Sequence, residues 1–184
     1  MQAILIQVQL LPYTEWSGDV MSNVSTEVAI ATTTLGSANV NIDFTSIPNT
    51  YTDLRIVLTA RITSGGNAWM QFNGDTGANY SFTRIYGDGS SAASDRGTGY
   101  SRFQLSTGSV SPTIPQLFTV DIFSYAGSTN KTILVESSQD TNGAGNVTRW
   151  VELWRNTSAI TSIKLIALSD TFTSGTTATL YGIL

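Results

Sequence analysis

Residues 54–86 read LRIVLTARITSGGNAWMQFNGDTGANYSFTRIY. Leu54, Ile56, Leu58, Ala60 and Ile62 recur at every second position. Arg55, Thr59 and Arg61 fill the alternate positions, with Val57 the one exception. A period of two in a half-buried segment is the mark of a β-strand. Thr63-Ser64-Gly65-Gly66 supplies a turn, and Ala68, Met70 and Phe72 resume the alternation. Asn73-Gly74-Asp75-Thr76-Gly77 turns the chain again, and Tyr80 to Tyr86 reads as a third strand closed by Gly87-Asp88-Gly89. Asn-Gly and Asp-Gly are chosen in such turns because they tolerate positive φ.

The same reading extends in both directions. Glu27 to Ala31 and Val40 to Phe44 are short strands, and Pro48 fixes a turn at 47–50. Asp88 to Arg102 is rich in Gly, Ser, Ala and Asp and reads as a long loop. Phe103 to Leu105 is a short strand, and the Pro112 and Pro115 stretch is extended but unsuited to a central strand. Leu117 to Phe123, Lys131 to Glu136, Val147 to Arg155, Ser162 to Leu168 and Ala178 to Ile183 follow as strands. The segment Val147 to Arg155 puts Val147, Val151 and Leu153 on one face and Trp150, Glu152 and Trp154 on the other. About ten short strands with turn signals between them, and no helical period, predict an all-β antiparallel sandwich or barrel.

At the N-terminus, MQAILIQVQLLPY alternates as well, with Ile4, Ile6, Val8 and Leu10 on one side. No Lys or Arg opens it and no small-residue cleavage site follows, so it reads as structure, not as a signal peptide. Pro12 to Asp19 breaks the pattern, and Met21 could itself begin a chain. Residues 1–20 therefore read either as an extended arm on a single domain of residues 21–184 or as a first strand of the same sheet.

Composition bounds the chemistry. Charged residues make up 12% of the chain, about half of the usual 25%, and Ser, Thr, Asn and Gly take their place. The net charge is −4. Its distribution is uneven, since no Lys or Arg precedes Arg55 while Glu15, Asp19, Glu27, Asp43 and Asp53 do. No basic stripe invites nucleic acid, and no 18-residue apolar window invites a membrane. With no His and no Cys, a Ser-His-Asp triad, a thiol nucleophile and a zinc site are all excluded. A carboxylate pair of the glycosidase kind remains, drawn from Asp75, Asp88, Asp95, Glu136 and Glu152. The turns at 73–77 and 87–89 could offer oxygens to Ca²⁺, but turn chemistry explains them better. Trp69, Trp150, Trp154, Tyr80, Tyr86 and Tyr100 suit either sugar stacking or a core or interface, and the second is favoured. The five Asn-x-Ser/Thr sequons are expected by chance in so Asn-rich a chain. No cofactor is called for, and the expectation is a protein that is not an enzyme.

Three pieces carry a resemblance: Pro48-x-x-Tyr51-x-x-Leu54, then Phe72-Asn73-Gly74-Asp75-x-x-x-Asn79-Tyr80, then Leu180-Tyr181-Gly182-Ile183. Across residues 38–184 the chain resembles a group of tailed-bacteriophage virion structural proteins that includes head decoration proteins and fibre-tip domains. The resemblance implies a jelly-roll-like sandwich that assembles with copies of itself, most simply a homotrimer, and it carries over no catalytic residue. The expected role is a capsid decoration, or cement, protein on the outer surface of a phage head, made in the host cytoplasm and bridging copies of the major capsid protein. The apolar side chains Ile4, Leu5, Ile6, Val8 and Leu10 would then pair with a strand edge on the capsid or on a sister subunit. The alternative expectations are a fibre-tip module that recognises host-surface glycans and a carboxylate glycosidase. The lack of a repetitive or coiled-coil shaft favours decoration.

Overall fold

The computed structural model describes residues 26–184. The segment 1–20, with Ile4, Leu5, Ile6, Val8 and Leu10, lies outside the described residues. Twelve strands follow in order: β1 Glu27–Thr34, β2 Asn41–Phe44, β3 Asp53–Ala60, β4 Asn67–Phe72, β5 Tyr80–Gly87 and β6 Ala92–Tyr100. The second half holds β7 Phe103–Gln104, β8 Gln116–Phe123, β9 Lys131–Gln139, β10 Asn146–Trp154, β11 Ile163–Leu168 and β12 Thr177–Ile183. They form two antiparallel sheets. The larger runs β1-β12-β3-β8-β9-β10-β5-β6, and the smaller runs β2-β11-β4-β7. Only the β5–β6, β8–β9 and β9–β10 connections stay within a sheet; every other one crosses to the opposite layer.

The alternation in the opening stretch places the core. Leu54, Ile56, Leu58 and Ala60 of β3 are all buried, beside Phe118, Val120 and Ile122 of β8 in register. From the smaller sheet come Ala68, Met70 and Phe72 of β4 and Ile163, Leu165 and Ala167 of β11. The two inner faces merge into one apolar cluster. At its centre Phe72 meets Phe103 and Trp154 edge-on at 5.3 and 5.4 Å, and Tyr80 meets Phe103 at 4.7 Å. Edge-to-face pairs of this kind add about 0.5–1.5 kcal/mol each beyond their buried area.

One expectation is corrected. Residues 88–102 are not a loop, because Ala92–Tyr100 is strand β6, paired with β5 along its length. Strand signals come from burial of one face, and β6 is exposed at all but one of its positions, so no apolar period exists to read. The turn between β5 and β6 is residues 88–91. There Asp88 Oδ1 accepts hydrogen bonds from the backbone N–H groups of Ser91 and Ser90 at 2.8 and 2.9 Å, and from both hydroxyls. Those donors hold the Asp88 carboxyl far below the usual carboxylate range. β10 also settles which of its two faces is the core: Trp150, Glu152 and Trp154 are buried, and Val147 and Val151 face outward.

Two of the three sequence pieces meet at one end of the sandwich. Leu54 pairs with Gly182 across β3 and β12, and the Tyr51 ring lies directly over the Gly182 backbone. A Cβ placed on Gly182 would come within 2.3–2.4 Å of three Tyr51 ring carbons. The Tyr125 hydroxyl, buried beside them, donates to the Pro48 carbonyl and accepts from the Tyr51 N–H at 3.4 Å. Burial pushes the Tyr125 hydroxyl pKa up. Gly182→Ala must therefore expel the Tyr51 ring. Overpacking of this kind costs about 1–3 kcal/mol, and a thermal melt of the variant should show a lowered midpoint. An unchanged midpoint would mean that the ring contributes nothing.

Candidate interaction surface

The turn at 73–77 is built as a clasp. Asn73 adopts φ 49° and Gly74 φ 66°, the left-handed region that Asn and Gly tolerate. Asn73 Oδ1 accepts from the N–H groups of Thr161 and Ser162 at 2.9 and 3.1 Å, and its Nδ2 donates to the Ala159 carbonyl at 2.8 Å. Asp75 Oδ2 accepts from the Trp154 indole N–H at 2.8 Å and from Asn79 at 2.9 Å, while its Oδ1 accepts from the Gly77 N–H at 2.8 Å. The Tyr80 hydroxyl donates to the Asp75 carbonyl at 3.0 Å. Burial alone would raise the Asp75 carboxyl, but donation from Asn79, Trp154 and Gly77 outweighs it and holds the group below its ordinary value. The side-chain oxygens of Asn73 and Asp75, the ones best suited to a cation here, are all committed to protein donors.

The other carboxylates have similarly structural surroundings. Arg84 Nε and Nη2 reach Asp95 at 2.5 and 2.7 Å. Arg149 pairs with Glu136 at 2.6 Å on the outer face of β9–β10. Glu152 is fully buried on the opposite face, and neither of its oxygens has a hydrogen-bond partner in the described residues. Burial pushes its pKa far up. Glu136 and Glu152 thus point away from each other through the sheet, and no group of three or more carboxylates in the described residues comes together in a way that could hold a metal.

Of the six aromatic residues considered for sugar stacking, Trp150, Trp154 and Tyr80 are completely buried. Trp69 and Tyr86 are half-buried and Tyr100 is exposed. The Arg84 guanidinium lies 4.6 Å from the Trp150 ring centre and 5.0 Å from that of Tyr86, a cation–π arrangement that the Asp95 pair holds in place.

What the structure leaves open is the outer face of the larger sheet, which divides into two halves. Over β1, β12 and β3 it is hydroxylated and charged. The Thr32–Thr179 and Thr34–Thr177 hydroxyl pairs sit at 3.0 Å, and Arg55 binds Asp121 at 2.6 Å and also Glu27. Over β8, β9, β10 and β5 it carries exposed aliphatic side chains around the Arg149–Glu136 pair. Val147 is 67% exposed, Ile85 61%, Val151 53% and Leu117 45%, with the half-buried Leu134 and Leu153 between them. Shallow grooves run beside Val147. One lies between Ile85 and Arg149, and another lies between Leu117 and Glu136. Isolated exposed aliphatics are ordinary, but here four stand on adjoining strands around the Arg149–Glu136 pair, which makes this face the candidate contact surface. Sequence reading separated Val147, Val151 and Leu153 from the Trp face but missed their partners Ile85 and Leu117. These come from other strands, and only the register Arg149↔Ile85, Val147↔Ser138 and Leu117↔Ser138 brings them near.

In comparisons with known proteins, no family model, curated protein or solved structure matches the chain.

Proposed function

We propose that this chain is a structural protein of a tailed-phage virion, a decoration protein that assembles as a homotrimer on the outer surface of the head and bridges copies of the major capsid protein. The observation that carries the reading is the outer face of β8, β9, β10 and β5, where Val147, Val151, Ile85 and Leu117 stand in the open on the sandwich. Such a surface is built to hold another large surface. A partner that binds the assembled shell better than free subunits stabilises the shell by mass action, and no reactive group is needed for that work.

The jelly-roll reading draws support from the strand order. Opposite β2-β11-β4-β7 the larger sheet runs β1-β12-β3, then the β8-β9-β10 meander, then β5-β6. If that meander is taken as one position and β5-β6 as a hairpin added at the edge, the chain alternates between two layers of four positions as jelly rolls do, a fold shared by viral capsid and lectin domains. A glycan-binding fibre tip remains the alternative. It would have to stack sugars on Trp69, Tyr86 and Tyr100, because Trp150, Trp154 and Tyr80 are enclosed.

The experiment is a coating assay on undecorated heads. Deletion of residues 2–20, and separately Val147→Glu with Val151→Glu, should each weaken coating at least about tenfold, roughly the loss of one buried apolar contact. Each variant should still melt cooperatively. Coating as tight as that of the parent by both variants would overturn the proposal, as would heads that never bind the parent chain.

A further inference from the structure

We infer that Asn142 is a site of spontaneous deamidation in the folded protein, and that the fold shields the other Asn-Gly pair, Asn73-Gly74, from the same reaction. An asparagine followed by glycine is open to attack by the glycine's own backbone nitrogen, because glycine has no side chain to cover it. The Gly143 nitrogen bonds to Asn142 Cγ, the Cγ–Nδ2 bond breaks, and the side-chain amide leaves as ammonia with the proton that the Gly143 nitrogen gives up. One water then opens the cyclic imide. Opening at Cγ leaves aspartate. Opening at the Asn142 backbone carbonyl leaves isoaspartate, whose main chain runs through the former side chain. The reaction changes no oxidation state and uses only water.

The two pairs have the same sequence and opposite surroundings. Both ends of the Asn73 amide are engaged. Its Oδ1 accepts from the Thr161 and Ser162 N–H groups at 2.9 and 3.1 Å and from the Thr161 hydroxyl at 3.3 Å, while its Nδ2 donates to the Ala159 carbonyl at 2.8 Å. To bring Cγ onto the Gly74 nitrogen, all of these bonds to the 159–162 segment must break. Asn73 therefore reacts only from a locally opened chain, and opening takes the clasp apart.

Asn142 sits in the turn that joins β9 to β10, beyond the closing pair Gln139↔Asn146. Asn142, Gly143 and Ala144 are all exposed. The Asn142 side-chain amide has no hydrogen-bond partner among the described residues. Its backbone φ is 68° and that of Gly143 is 92°, and a Cβ built on Gly143 would meet no atom within 4 Å, so nothing crowds the attacking nitrogen. One restraint remains. The Gly143 N–H donates to Asp140 Oδ1 at 2.8 Å. That bond must open before the nitrogen can attack, and the carboxylate's charge opposes loss of the amide proton. Asp140 is itself exposed, so this is a single hydrogen bond in water's reach, against four on the Asn73 amide.

The product adds one negative charge to a chain that already carries −4. The charge falls two residues from Asp140, on the turn that borders the groove between Asp88, Leu117 and Val147. Ageing would thus make the rim beside Val147 more acidic.

The test uses the purified full chain alone, so its failure would leave the head-decoration reading standing. The folded protein is held in mildly alkaline buffer and sampled over time, and its peptides are mapped by mass spectrometry for deamidation at Asn142 and Asn73. A second sample in denaturant gives the two rates without the fold. The expected result is similar rates in denaturant and, in the folded protein, a rate at Asn142 at least about tenfold above that at Asn73. Asp140→Ala, still melting cooperatively, should quicken the reaction at Asn142 and leave Asn73 unchanged. Equal rates at the two sites in the folded protein would overturn the inference, as would an Asn142 that stays intact while the denatured chain converts. A rate at Asn142 that stayed the same or fell in Asp140→Ala would overturn the restraint assigned to Asp140.

Discussion

Glu152→Gln unfolds at a higher temperature than the parent near about pH 8, and the difference vanishes below about pH 4. Glu152 sits on the inner face of β10 between Trp150 and Trp154, opposite Ile133 of β9 and Phe82 of β5. It is completely buried, and neither oxygen has a partner in the described residues. Burial therefore raises its pKa well above the ordinary glutamate value. The sign follows from linkage. Below the unfolded value, about 4.3, the carboxyl is protonated in both states and the folded protein bears no ionisation penalty. As the pH rises, the unfolded chain releases the proton while the folded chain keeps it, and stability falls by about 1.4 kcal/mol per pH unit until the raised folded value is reached.

Gln cannot ionise, so the variant escapes that fall. Asp75 and Asp95, held low by their donors, act in the opposite sense. Their stabilisation is present above the unfolded pKa and lost as the pH falls through the folded one, in parent and variant alike. The measurement is thus the difference between two melting profiles across pH. Glu152→Met should go further and stabilise the protein at every pH, since it leaves no orphan polar atoms in the core. Superimposable profiles for parent and Gln variant would show that the carboxyl is ionised in the fold, satisfied by water or by a moved side chain.

The second large effect is expected at Trp154. Its ring packs edge-on against Phe72 and is roughly parallel to Tyr80 at 6.4 Å. Its indole N–H is bound by Asp75. Trp154→Ala should cost about 3–5 kcal/mol, which for a domain of this size lowers the melting midpoint by on the order of 10 °C. Trp154→Phe separates the two contributions, because it retains most of the packing and removes only the donor to Asp75. If the clasp matters, Asp75→Asn in the Trp154→Phe background should cost less than it does alone. Equal costs in both backgrounds would show that the Asp75–Trp154 bond carries no coupling.

Most of the strand pattern could be read from the residues, because β3, β8, β9 and β12 each bury one face fully and leave the other half-buried or exposed. Such strands record their own geometry as a period of two. β6 could not be read, since neither of its faces is substantially buried, and its place depends on pairing with β5. The outer aliphatic face was half legible. Val147 and Val151 alternate with Trp150, but nothing local says which face turns inward. That choice falls to bulk, because the indole rings of Trp150 and Trp154 fill the space between the sheets and the valines cannot.

Local order in the chain was enough to determine an all-β protein without His or Cys, with turns at 63–66 and 73–77. All of these follow from side-chain period and backbone preference, which are properties of neighbours in sequence. Tertiary structure alone decided three things: that Asp75 caps Trp154, that Tyr51 rests on Gly182, and that Glu152 is enclosed without a partner. Each joins residues tens of positions apart or more, or depends on which face the opposing sheet covers, and no local preference encodes a distance across the core.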